Sequence, residues 1–135
     1  MVFEVVESTC DSPVRIFAAP KAIFKPGQIG ELKEIDGRLV CDVSDGANPF
    51  GVIGDLKTEI FEHFDPANLV SVWPQRMVFR TDSYDIEQEY KEGNAIYVNS
   101  FGFMTSKKSH ENAHIVARLI SPSTAERPWM ELLWI

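Results

Sequence analysis

A chain of 135 residues with a formal net charge of −7 has room for a single core and is expected to bury roughly two-thirds of its unfolded surface. A hydrophobic share of 44% beside 24% charged residues argues against a disordered or fibrous chain. The acidic balance, interrupted by no basic run longer than Lys107-Lys108, argues against nucleic acid as a partner, because phosphate binding draws on concentrated positive charge.

No run of about 18 apolar residues offers a transmembrane helix, and Met1-Val2-Phe3-Glu4 lacks the basic-then-apolar order of a signal peptide. No membrane partner and synthesis in the cytoplasm are therefore expected. Nine Phe, three Trp and three Tyr favour strands and contact surfaces over a helical bundle. In that compartment Cys10 and Cys41 are expected as free thiols, with a disulfide between them as the alternative.

In chain order, Met1 to Glu7 reads as a short strand or an N-terminal arm extending to Pro13. Val14 to Phe17 reads as a second strand, ended by Pro20 because proline donates no ladder hydrogen bond. Gln28 to Ile35 and Arg38 to Ser44 flank Asp36-Gly37, a dipeptide suited to the two positive-φ positions of a type I′ hairpin. Phe50 to Gly54 reads as a buried strand, and Leu56 to Phe64 as one or two helical turns. Arg76 to Thr81 is extended. Tyr84, Ile86, Gln88 and Tyr90 alternate with Asp85, Glu87 and Glu89, a period of two that predicts an edge strand. Ile96 to Val98 and Phe101 to Thr105 are the aromatic and β-branched strands around Gly102. Ile115 to Ile120 reads as a strand or short helix. The C-terminal segment, residues 128–135, is apolar on both alternating faces and suits either a strand buried on both sides or a docking tail.

These elements predict an all-β domain spanning 1–135, a small barrel or sandwich of short antiparallel strands with little helix. Two pseudo-repeated halves are also expected. Lys25-Pro26-Gly27, a strand, Asp36-Gly37, a strand and Phe50-Gly51-Val52 match the order Lys91-Glu92-Gly93, strand, Phe101-Gly102, strand, Ile115-Val116-Ala117. Gly37, Gly51, Gly93 and Gly102 are assigned to structural turns, with Gly51 opening a strand that another backbone or ring approaches closely.

His110-Glu111-Asn112-Ala113-His114 satisfies H-E-x-x-H, which on a helix lets two imidazoles reach one zinc while the glutamate takes a proton from its bound water. A small zinc hydrolase using His110, Glu111 and His114 is thus one functional alternative. The setting opposes it, since Lys107 and Lys108 precede the first histidine and burying them beside a dication costs desolvation and repulsion. No cofactor motif is present, and no catalytic or metal role is assigned. The remaining signal is aromatic. Trp73 with Arg76 and Arg127 with Trp129 pair the residue types enriched at interface hot spots, and Phe3 and Trp134 extend the set into the two termini.

The second half is similar to small structural proteins of tailed bacteriophages. The residues that carry the likeness are Val78 to Tyr84, Tyr90-Lys91-Glu92-Gly93-Asn94-Ala95-Ile96-Tyr97-Val98 and Phe101-Gly102-Phe103-Met104-Thr105. They most resemble the capsid decoration, or cement, family, whose pattern includes a Gly-Asp, apolar, Tyr-Val strand and a Gly, apolar, Leu-Thr strand. Pro49-Phe50-Gly51-Val52-Ile53 resembles the Pro-Ile-Gly-Val element of that family. Asn94 stands where an aspartate is usual, and Ile115-Val116-Ala117 replaces a glycine-containing strand. The likeness spans Pro26 to Ile120 in outline. It implies a β-tulip-like, non-enzymatic protein on the capsid surface of the virion. Its implied partners are the major capsid protein and further copies of itself, often as a trimer. A phage tail or baseplate adaptor is the neighbouring alternative.

Overall fold

The structure is a computed structural model that describes residues 3–9, 12–54, 69–74, 76–108 and 113–135. Eleven strands and no helix occur among these residues: β1 (Phe3–Ser8), β2 (Val14–Phe17), β3 (Ile29–Ile35), β4 (Arg38–Val43), β5 (Gly51–Ile53), β6 (Leu69–Trp73), β7 (Met77–Thr81), β8 (Ala95–Val98), β9 (Met104–Thr105), β10 (Ala117–Ser121) and β11 (Met130–Trp134). They form a sandwich-like pair of antiparallel sheets. One runs β1-β7-β11-β10-β8-β9 and the other β2-β6-β5-β3-β4.

Period-two patterning explains the six-stranded sheet. Met77, Phe79 and Thr81 of β7 point inward with Met130, Leu132 and Trp134 of β11, and all six are buried. On the outward face Glu4, Arg80 and Glu131 stand in register across β1, β7 and β11. Arg80 Nη1 lies 3.7 Å from Glu4 and its Nε 3.5 Å from Glu131. Such exposed pairs add little stability, about 0–1 kcal/mol each, but they reward the correct register over a slip by one residue.

The middle of the five-stranded sheet, at β5 and β6, is buried on both faces. Val52 joins the main core between the sheets, with Ile29, Phe79 and Leu132. Its neighbour Ile53 turns to a second cluster, with Ile16, Phe24, Cys41, Val70 and Val72. This second cluster exists because the sheet curls: β2 touches β4 at a parallel bridge between Ala18 and Cys41, although the barrel does not close along its length. Two-sided burial is the reason Phe50 to Gly54 reads as a buried apolar strand, whereas the stretch from Pro66 to Pro74, expected from its prolines to be irregular, holds β6 at residues 69–73.

The expected hairpin forms, with Ile35 opposite Arg38 and positive φ at both Asp36 (52°) and Gly37 (77°). The two halves also repeat. β3 lies between β5 and β4 as β8 lies between β10 and β9. Their backbone bonds correspond: Gly27 N–H to Ile53 O (2.7 Å) matches Gly93 N–H to Leu119 O (2.8 Å), and Ile53 N–H to Gln28 O (2.8 Å) matches Leu119 N–H to Asn94 O (3.0 Å). Even the side chains that close the entry turns agree, since Gln28 Oε1 accepts from Lys25 N–H at 3.0 Å and Asn94 Oδ1 from Lys91 N–H at 2.7 Å.

Several expectations need correction. At each terminus the strand alternative holds over the arm or tail: residues 3–8 are the edge strand β1, and residues 130–134 are a strand between β7 and β10. Tyr84 to Tyr90 is no edge strand. Asp85 Oδ1 accepts Glu87 N–H at 3.1 Å and Tyr90 Oη donates to Asp85 O at 2.6 Å, which folds the chain back. The Tyr84 and Tyr90 rings then meet edge to face with centroids 5.2 Å apart, where six residues of strand would separate them by roughly 20 Å. Gly51 is not a turn glycine but the first residue of β5, and the close backbone approach expected there holds: a Cβ would stand 2.7 Å from both Trp73 O and Val72 Cγ1. Phe101 precedes β9 rather than belonging to it. Cys41 is a free, buried thiol. Cys10 and the expected helical turns at 56–64 lie outside the described residues.

Candidate interaction surface

The six aromatic and arginine residues singled out in the sequence differ in burial, from the exposed Arg76 to the core residue Trp134. Phe3 and Trp73 do come together, because both flank Gly54: a Cβ there would lie 2.8 Å from Trp73 Nε1 and 3.8 Å from Phe3 Cε2. Both are partly buried against the main core, and Phe3 stacks at a tilt on Phe79 with ring centroids 5.9 Å apart. Arg76 is exposed at the entry to β7, where its carbonyl accepts from the Thr9 N–H and hydroxyl, each at 3.2 Å. Arg127 turns inward on its own loop, its guanidinium donating to Ser121 Oγ and, at 3.4 Å, to Pro122 O. Trp129 is partly buried, and its enclosed Nε1 has no hydrogen-bond partner among the described residues. Trp134 is a core residue at 4% exposure, so it offers little of its own surface to a partner.

His110 and Glu111 lie outside the described residues, while His114 is exposed just before β10. It lines a cleft of about 480 Å³ with Phe50, Ile115, Trp134 and Ile135. A second, more apolar hollow of about 610 Å³ opens at the mouth of the curled sheet, between Val14 and Phe17 of β2 and Leu39 of β4, with Arg15 and Arg38 also lining it.

The exposed apolar side chains sit mainly on loops and edges that the residue types alone do not mark. Ile86 is 82% exposed, Phe101 70%, Ile23 59% and Leu39 58%. Phe101 stands out because its backbone is tied on both sides. Asn99 Oδ1 accepts from the N–H groups of Phe101 (2.9 Å) and Phe103 (3.0 Å). Gln28 Nε2 donates to Phe101 O at 2.8 Å, and Ile29 N–H to Gly102 O at 2.8 Å. A signal for this was available in Asn99-Ser100-Phe101-Gly102: three turn formers surround an aromatic that a turn does not itself require.

Two titratable groups inside the fold are held neutral. Burial pushes the Cys41 thiol up to about 12, with Asp42 and Glu31 adding repulsion. Burial likewise raises the Tyr90 phenol above its ordinary value, helped by Asp85. Neither is an activated nucleophile, since activation lowers a pKa rather than raising it. At the surface, burial opposes the charge on Lys33, but Asp42 at 3.3 Å with Glu31 and Asp45 outweighs it, so its pKa lies above the ordinary lysine value.

No protein-family model matches the chain, and no curated protein matches it significantly.

Proposed function

We propose that this chain is a virion structural protein that binds and stabilises the outer surface of a bacteriophage capsid through protein–protein contacts. One observation carries the reading: apolar side chains as exposed as Phe101 at 70% and Ile86 at 82% are held out on loops whose backbones are fixed by side-chain hydrogen bonds. An ordered apolar surface loses little conformational entropy when covered, which favours a permanent contact. The likeness of residues 26–120 to capsid decoration proteins supports the same reading.

The physics of the role is simple. A protein that binds only the expanded lattice stabilises it by mass action, by about 2.7 kcal/mol per site when free protein stands at 100 times Kd. Summed over many sites, that opposes the internal pressure of packaged DNA. In this reading the partners are the major capsid protein and other copies of the chain, and a net charge of −7 suits the outside of a particle.

Purified protein should cosediment saturably with expanded capsids that lack it, and electron microscopy should show new density on their outer face. Protein that stays in the supernatant at every concentration would refute the reading, and label found on the tail would replace it with a tail adaptor.

A further inference from the structure

We infer that Phe101 is a pre-organised anchor that seats in an apolar pocket of the lattice protein with a cationic or amide rim; this rests on the capsid-binding reading above. The hydrogen bonds from Asn99, Gln28 and Ile29 hold the backbone on both sides of the ring. Gly102 follows at φ +80°, and a Cβ on it would stand 2.4 Å from Val43 Cγ1, so the inner side of the loop is already filled by β4. The ring nevertheless remains 70% exposed. Fold stability therefore draws on the backbone of this loop and scarcely on the phenyl group. Such an aromatic binds at low entropic cost, the property of interface hot spots.

The chemistry of the partner follows from the adjoining loop, residues 44–48. Gly46 packs so closely on β8 that a Cβ would lie 2.7 Å from Val98 O. This loop is ordered too, with Gly46 N–H donating to Ser44 Oγ at 3.1 Å and Ala47 N–H to Asp45 Oδ1 at 3.0 Å. It places exposed Asp45 and Asn48 on the segment that adjoins the Phe101 loop. An apolar knob beside an acid and a polar amide fits a pocket with an apolar floor and a cationic or amide rim.

The test uses the full chain and expanded capsids. Phe101→Ser should weaken capsid binding by about tenfold or more while leaving the thermal midpoint unchanged. Asn99→Ala should weaken it by a smaller factor, and Asn99→Asp, which keeps the accepting oxygen, should restore it. Equal binding by the wild type and Phe101→Ser would overturn the inference and leave the capsid reading standing. A lowered thermal midpoint in Phe101→Ser would overturn it by showing that the ring serves the fold. A changed sedimentation coefficient with unchanged capsid affinity would overturn it in favour of a second copy as the occupant. Failure of the wild type to bind would end the capsid reading and this inference together.

Discussion

Gly37 and Gly102 both occupy the left-handed region, at φ +77° and +80°, but their surroundings differ. Nothing lies within 4 Å of where a Gly37 Cβ would be, whereas one on Gly102 would meet Val43 Cγ1 at 2.4 Å. Gly37→Ala should therefore cost only backbone strain, about 1 kcal/mol. Gly102→Ala adds overpacking and should cost roughly 3 kcal/mol in all. Thermal or urea unfolding of the two variants checks this, and equal losses would refute the packing account. The Asp36-Gly37 turn was legible in the sequence because the φ requirement is local. That Gly102 is also a close-packing glycine was not, because Val43 is brought there by the fold of the other half.

At the scale of elements, β11 decides most. It pairs with β7 over five residues and with β10 on its other edge, and it contributes Met130, Leu132 and Trp134 to the main core. Burying each such side chain is worth about 1.5–3 kcal/mol, so the three together rival the 5–15 kcal/mol net stability of a whole domain. A chain truncated after Arg127 should lose cooperative unfolding and its strand circular-dichroism signal. A truncated chain that still melts cooperatively would show that β11 is dispensable. Tail deletion is consequently unsuitable as a test of binding. The extended reading of Arg76 to Thr81 and the strand alternative for the C-terminal segment hold as β7 and β11, but alternation misled at Tyr84 to Tyr90, where the side-chain acceptor of Asp85 and the Tyr90 hydroxyl turn the chain locally. Period two registers which side chains could share a face, and says nothing of a competing turn.

Across the molecule, the two repeated halves are joined by the Phe101 loop, through Gln28 and Ile29, and by a core that takes Ile29 and Val52 from one half and Ile96 and Leu119 from the other. They should unfold in one transition. Cys41 belongs to the first half and Tyr90 to the second, and both have raised pKa values. Above pH 9 the unfolded chain releases the Cys41 proton while the folded chain keeps it, so stability is full below pH 9 and falls as pH rises toward 12. The Cys41 contribution to that loss reaches at most ~4 kcal/mol. Calorimetry between pH 8 and about pH 11 should show a single transition moving to lower temperature, with a shallower dependence in Cys41→Ala. Two separated transitions, or an unchanged slope in the variant, would contradict this.

The sequence by itself determined the all-β class, the β3–β4 hairpin and the order of elements in the two halves. These follow from local φ preferences and side-chain periodicity, which act over a few residues. Only the tertiary structure decided that the C-terminal segment is an inner strand and that Trp134 is core. It also decided that the six candidate contact residues range from exposed Arg76 to core Trp134 and that Phe101 is held outward. Those outcomes depend on which strands become neighbours, and neighbours far apart in the chain set burial, close approach and exposure.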